Sequence, residues 1–97
     1  PTAVICDSDT YAIALIQCAT QDGLRIPEDL SVIGIDGMDI GNYSLPPLTT
    51  VAQQTYEHGI KAGELLLDAI NGKEVRDCVM HPTIIERQSC RTIKAEC

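Results

Sequence analysis

Few side chains in this sequence have the type and spacing that chemistry needs. Asp7-Ser8-Asp9 resembles the opening of a calcium loop, but the third oxygen ligand, the glycine at the sixth position and the closing bidentate Glu are missing. As a helix start it fits better: Ser8 can accept from the first free N–H groups, and Asp9 complements the positive end of the dipole. Cys78 and His81 have the Cys-x-x-His spacing of half a zinc site. No second pair lies nearby and His58 stands alone, so solvated or core residues are expected and no metal. Gly34, Gly37 and Gly41 miss the Gly-x-Gly-x-x-Gly spacing, and neither a Gly-x-x-x-x-Gly-Lys-Ser/Thr loop nor a Gly-x-Ser-x-Gly elbow occurs. No cofactor and no catalytic residue is therefore expected, and the chain does not read as an enzyme. Asp36 is different. It follows an apolar strand directly, at the carboxyl edge where open α/β sheets bind ligands, and can accept two hydrogen bonds from sugar or polyol hydroxyls. The competing reading, a cap on the following turn, carries even weight on chemistry alone.

The elements that place these residues follow from pattern. Thr2 to Cys6 is short, continuous and β-branched, the mark of a strand covered on both faces. A helix is predicted from Asp9 to Asp22, closed by Gly23 in the left-handed conformation. After the turn Arg25 to Asp29, the run Leu30 to Ile35 reads as a second buried strand. This β-α-β unit predicts a parallel pair with a right-handed crossover, bringing Cys6-Asp7-Ser8 and Ile35-Asp36-Gly37 to one edge. Met38 to Pro47 is a loop with one helical turn, and Thr49 to Ala52 is extended. From Thr55 the apolar and small residues Tyr56, Gly59, Ile60, Gly63, Leu66, Leu67 and Ile70 recur at helical spacing, predicting a helix to Asn71. Pro82 confines the tail to an edge or a bend, with a short strand expected on either side of it.

Composition bounds the rest. In 97 residues, 44% of them hydrophobic, one modest core fits and a single compact unit is expected. The net charge of −7 argues against direct contact with phosphate backbones. The longest apolar run, Tyr11 to Ile16, is far short of the roughly 20 residues that span a bilayer, so no membrane partner is expected. Five cysteines, Cys6, Cys18, Cys78, Cys90 and Cys97, form an odd set with Cys6 and Cys18 in apolar segments. That usage fits a reduced, cytoplasmic compartment. The chain opens at Pro1 with no initiator Met and no leader, which predicts a piece of something longer.

Several segments, in order, resemble one family. Asp9 to Ala12, Gly23 through Asp36, Pro46-Pro47-Leu48-Thr49-Thr50-Val51, Gln53, Gly59, Leu65 to Leu67 and Ile85-Glu86-Arg87-Gln88-Ser89 are similar to the C-terminal part of the effector-binding domain of the LacI/GalR transcriptional regulators. The resemblance spans about residues 1 to 90. It implies a three-layer α/β/α fold with a parallel sheet, periplasmic-binding-protein-like, here a fragment of a bilobal domain. Residues 1–48 would belong to the C-terminal lobe, 49–53 would cross between lobes, 54–82 would supply an N-terminal-lobe helix and strand, and 83–97 would be the return crossover and tail. It further implies a sugar, nucleoside or related small-molecule effector, and DNA contact only through an N-terminal helix-turn-helix absent from this chain. Asp36 falls on the family's sugar-hydroxyl-binding acid, and Thr55 on a position facing the ligand from the other lobe. Ser8 stands where Asn is usual, and Gly37 where a second acid or Asn is common; both departures weaken any transfer of ligand identity. The alternative within the same fold is a periplasmic-type sugar-binding protein of a transporter.

The first helix carries one more signal. Ala12, Leu15, Ile16 and Ala19 make a stripe for the sheet, yet Tyr11, Ile13, Ala14 and Cys18 leave the opposite side apolar too. Either another element of the lobe covers that side or a second subunit does. The resemblance favours a homodimer, through Tyr11, Ile13, Ala14 and Gln17.

Overall fold

Strand β1 (Ala3–Ile5), helix α1 (Asp9–Gln21) and strand β2 (Ser31–Asp36) form the expected β-α-β unit in the computed structural model, which describes residues 1–94. Cys97 lies outside the described residues. β1 and β2 are parallel, with Val4 opposite Val32 and Ile5 opposite Ile33. A single 3-10 turn, Asp39–Asn42, interrupts the loop before strand β3 (Thr49–Ala52). β3 joins β2 in parallel, placing Gly34 beside Thr50 and Asp36 beside Ala52. Helix α2 (Thr55–Ile70) follows, and strand β4 (Thr83–Ile85) returns antiparallel on the outer edge of β3, immediately after Pro82. The sheet order is β1-β2-β3-β4, mixed but dominated by parallel pairs.

The alternation along the strands decides where the core sits. Val32, Gly34 and Thr50 are buried on the face that α1 covers, and Ala12, Ile16 and Ala19 from the helix meet Ile26, Leu30, Val32 and Leu48 there. Ile5 and Ile84, on strands of the other face, are 74% and 68% exposed. The reading of β1 as covered on both sides is therefore corrected: the described residues supply a helical layer for one face of it. Past β4 the chain threads between the starts of β2 and β3. Ser89 is fully buried there; its Oγ donates to the Val32 carbonyl (2.5 Å) and accepts the Thr49 N–H (2.9 Å), while the Val32 N–H donates to the Ser89 carbonyl. Arg87 donates to the Leu48 carbonyl beneath it.

Two further expectations are corrected. Among the described residues no strand forms on the N-terminal side of Pro82: a strand needs a partner, and the described sheet ends at β4 (Thr83–Ile85). Nor is the chain one compact unit. Its radius of gyration is 18.0 Å and its extents 59 × 32 × 17 Å, against about 13 Å for a compact chain of about 100 residues. The cause is α2, which buries no residue and leaves Tyr56, Leu66, Leu67 and Ile70 at least 61% exposed. No described helix is long and apolar enough to cross a membrane.

Candidate functional site

The parallel pairing brings the carboxyl ends of β1 and β2 to one edge, and with them Ser8 and Asp36. Ser8 is the N-cap of α1: its backbone is extended and its Oγ accepts the Thr10 N–H at 3.1 Å. Asp36 has φ of +138°, a region that favours glycine, and Gly37 follows at +77°. Backbone held this way costs on the order of 1–3 kcal/mol and persists only where its surroundings enforce it. The Asp36 carboxylate accepts from Gln53 Nε2 at 3.3 Å across the β2–β3 pair.

Those surroundings are built from side chains whose contacts the sequence pattern does not show. The Gly37 N–H donates to Thr50 Oγ1 (3.1 Å), and that hydroxyl in turn donates to Asp9 Oδ1 (2.5 Å). The second Asp9 oxygen accepts the Met38 N–H at 2.7 Å. Asp9 is wholly buried. It faces inward at the first turn of α1, where the helix dipole favours an anion, rather than outward as a surface complement. Gly34 makes the room, since a Cβ there would collide with Asp9 Oδ1 and lie 3.0 Å from Leu48 Cδ2. A glycine in the middle of an otherwise β-branched strand was the one sequence signal of a close approach.

Thr55 opens α2, exposed, just after Gln54 in the left-handed conformation. Among the described residues no hydrogen bond joins Ser8, Asp36 and Thr55; what the fold brings together is Asp36 with Gln53. Beside that pair lies a cleft of about 340 Å³ lined by Ile35, Val51, Gln53, His58, Met80 and Pro82. A larger hollow of about 640 Å³ separates α2 from the 74–79 segment. Cys78 lines it, but among the described residues no group of three metal-ligating side chains converges. At the β1 end, burial and then the neighbouring Asp7 push the Cys6 thiol pKa up, which suits a small half-buried hydrophobe against the core rather than a nucleophile.

On the outer side of α1, Tyr11 is 65% exposed, Ala14 and Gln17 are exposed, and Ile13 is half-buried against the core. Ile13 and Gln17 line an apolar cleft of about 370 Å³ whose far wall is Tyr43, Ser44 and Leu45. Tyr43 and Leu45 are more than 80% exposed. Both lie in the loop before β3, where residues carry no periodicity that could mark them in the sequence.

Residues 1–90 match the family described as the periplasmic binding protein-like domain. The chain is 46% identical over 95 residues to the HTH-type transcriptional repressor PurR of Vibrio atlanticus, covering 96% of this chain and 28% of the relative. It is 49% identical over 75 residues to the HTH-type transcriptional repressor CytR of Escherichia coli K12, covering 77% of this chain and 22% of the relative. Among solved structures, the Lac repressor dimer bound to operator and the anti-inducer ONPF superposes with a TM-score of 0.88 at 28% identity, covering 93% of this chain and 32% of that one. A periplasmic binding protein/LacI transcriptional regulator from Alkaliphilus metalliredigens, complexed with D-xylulofuranose, superposes at 0.84 with 29% identity, over 94% and 35% of the two chains. The chain thus spans about 28% of the length of the PurR relative it matches.

Proposed function

We propose, from the premise that this chain belongs to the periplasmic binding protein-like family in the form carried by LacI-type repressors, that it is the effector-sensing and dimerising part of such a regulator. The observation that carries the reading is Asp36: a carboxylate at the end of a buried strand, on backbone that costs energy to hold, tied to Gln53 on the segment leading to α2. Such an acid accepts hydroxyls of a sugar or nucleoside, with Ser8 at the neighbouring helix start and Thr55 approaching from across the cleft. Residues 1–48 then form one wall, 49–53 and 83–87 cross between lobes, and α2 lays its bare apolar stripe on a second lobe supplied from outside this chain. Closing or reorienting two lobes around a ligand is a differential-binding switch. A dimer pairing through Tyr11, Ile13, Ala14 and Gln17 would pass it to helix-turn-helix heads on DNA in the cytoplasm. The named relatives are repressors, which favours the regulator over a transporter's binding protein.

Calorimetry with a panel of pentoses, hexoses, disaccharides and nucleosides on the complete protein tests this. Asp36→Asn should weaken the panel member that binds by roughly tenfold to a hundredfold, the loss of a charge-assisted hydrogen bond of about 1.5–3 kcal/mol. Unchanged affinity in a folded variant would overturn the assignment. The wall supplied here is half a cleft, so the 97-residue chain alone should bind the same molecule weakly or not at all; micromolar affinity would contradict the two-lobed reading.

A further inference from the structure

We infer that Asp9, acting through Thr50, is a positioning residue for Asp36. The inference rests on the reading of Asp36 as the ligand-binding acid and adds the device that aims it. Asp36 and Gly37 both stand at positive φ, and among the described residues the two amides that follow Asp36 donate to side chains of other elements. The holding groups come from two other elements. From β3, Thr50 Oγ1 accepts the Gly37 N–H; from the first turn of α1, Asp9 accepts the Thr50 O–H on one oxygen and the Met38 N–H on the other. Both amides after Asp36 are thus bound, directly or through one hydroxyl, to a single carboxylate that is wholly buried.

The chemistry fixes the direction of each bond. A carboxylate only accepts, so the Thr50 hydroxyl must donate its O–H to Asp9, which leaves its lone pairs for the Gly37 N–H. Hydrogen bonds in such a chain polarise one another, and the low dielectric around them strengthens each. Packing enforces the arrangement: Asp9 Oδ1 occupies the space above Gly34, and a Cβ on Gly37 would come within 2.8 Å of Ala52 Cβ. Releasing the latch frees Asp36 to relax toward negative φ, swinging its carboxylate away from Gln53 and the cleft. The same carboxylate sits one residue after the α1 cap, so the turn carrying Asp36 and the helix carrying Tyr11 and Ile13 are held by one group.

Thr50→Val keeps the shape and removes both bonds; Thr50→Ser keeps both bonds. Asp9→Asn keeps the size and removes the charge. Ser89→Ala weakens the same sheet without touching the latch, and so reports on stability alone. In the complete protein, hydrogen exchange at the Gly37 and Met38 amides needs no ligand. Exchange at both should quicken roughly tenfold or more in Thr50→Val and Asp9→Asn, the loss of about one hydrogen bond's protection, while Thr50→Ser and Ser89→Ala leave it near the parent. Calorimetry with D-ribose, D-galactose, cellobiose and adenosine as probes should show a matching loss in Thr50→Val, restored in Thr50→Ser. Parent-like exchange at Gly37 and Met38 in Thr50→Val would overturn the latch. Faster exchange with undiminished probe affinity would show that the latch does not aim Asp36. If instead Asp36→Asn binds every probe as the parent does, the ligand role of Asp36 falls, and exchange still decides whether Asp9 and Thr50 hold the turn.

Discussion

Replacing Gly34 by alanine should destabilise a strand that ordinary propensity says it would strengthen. In a strand interior Gly→Ala is worth roughly 0.5–1 kcal/mol of stabilisation from reduced unfolded-state freedom. At Gly34 the added Cβ collides with Asp9 Oδ1 and stands 3.0 Å from Leu48 Cδ2 and 3.2 Å from Asp9 Cα. The last of these is backbone, and Leu48 is wholly buried, so neither can yield cheaply. Overpacking of this kind costs about 1–3 kcal/mol. Driving the Asp9 carboxylate off the Thr50 hydroxyl and the Met38 amide adds about 1–3 kcal/mol for buried polar groups left unpaired. Against the propensity gain, the net is a loss of about 3 kcal/mol. Urea unfolding followed by circular dichroism reads it as a lowered midpoint at constant slope. The internal control is Gly59→Ala, in α2, where nothing lies within 4 Å of the added methyl. There the helix should gain up to about 1 kcal/mol, and a second lobe seated on α2 in a longer protein should remove that gain. A Gly34→Ala chain as stable as the parent, or more stable, would refute the packing argument and with it the account of why Asp9 sits inside.

Ser89→Ala should cost about 1–3 kcal/mol, because the buried Thr49 N–H loses its acceptor; an unfolding midpoint unchanged from the parent would show that another group takes over. At the exposed turn before β2, Arg25 makes paired hydrogen bonds to the Asp29 side chain, which also accepts the Arg25 N–H, and these contacts hold the Asp29 carboxyl below its ordinary range. The depressed folded value means the unfolded chain binds the proton more readily. Its stabilisation is therefore present above the ordinary carboxylate range and is lost as pH falls through it toward the depressed value. The stability difference between parent and Asp29→Asn should shrink as pH falls from about 6 to about 3, and a difference constant with pH would contradict this. Ile13→Glu should dissociate a dimer paired through α1, read by sedimentation of the complete protein; an unaffected dimer would place the interface elsewhere.

The β-α-β unit, the Ser8 cap and the place of Asp36 were legible in the sequence because they depend on local matters: β-branched runs, a hydroxyl before a helix, an acid after a strand. α2 was legible for the same reason, since seven apolar or small positions at helical spacing announce a helix whether or not anything covers it. What covers it is a different question, and only the fold showed that no residue of α2 is fully buried within this chain. The strand expected before Pro82 failed on the same ground, because strands exist by pairing and the pattern of one segment does not reveal whether a free edge reaches it. The contacts of Asp9, Thr50, Gln53 and Ser89 were not legible for a further reason. Each acts through a partner at least 17 positions away in the chain, across α1, β2, β3 and the tail, and no window along the sequence holds both ends of such a bond. A helix-opening aspartate looks the same whether it faces water or a buried hydroxyl. Its direction was decided by the space above Gly34 and the hydroxyl that β3 brought to meet it.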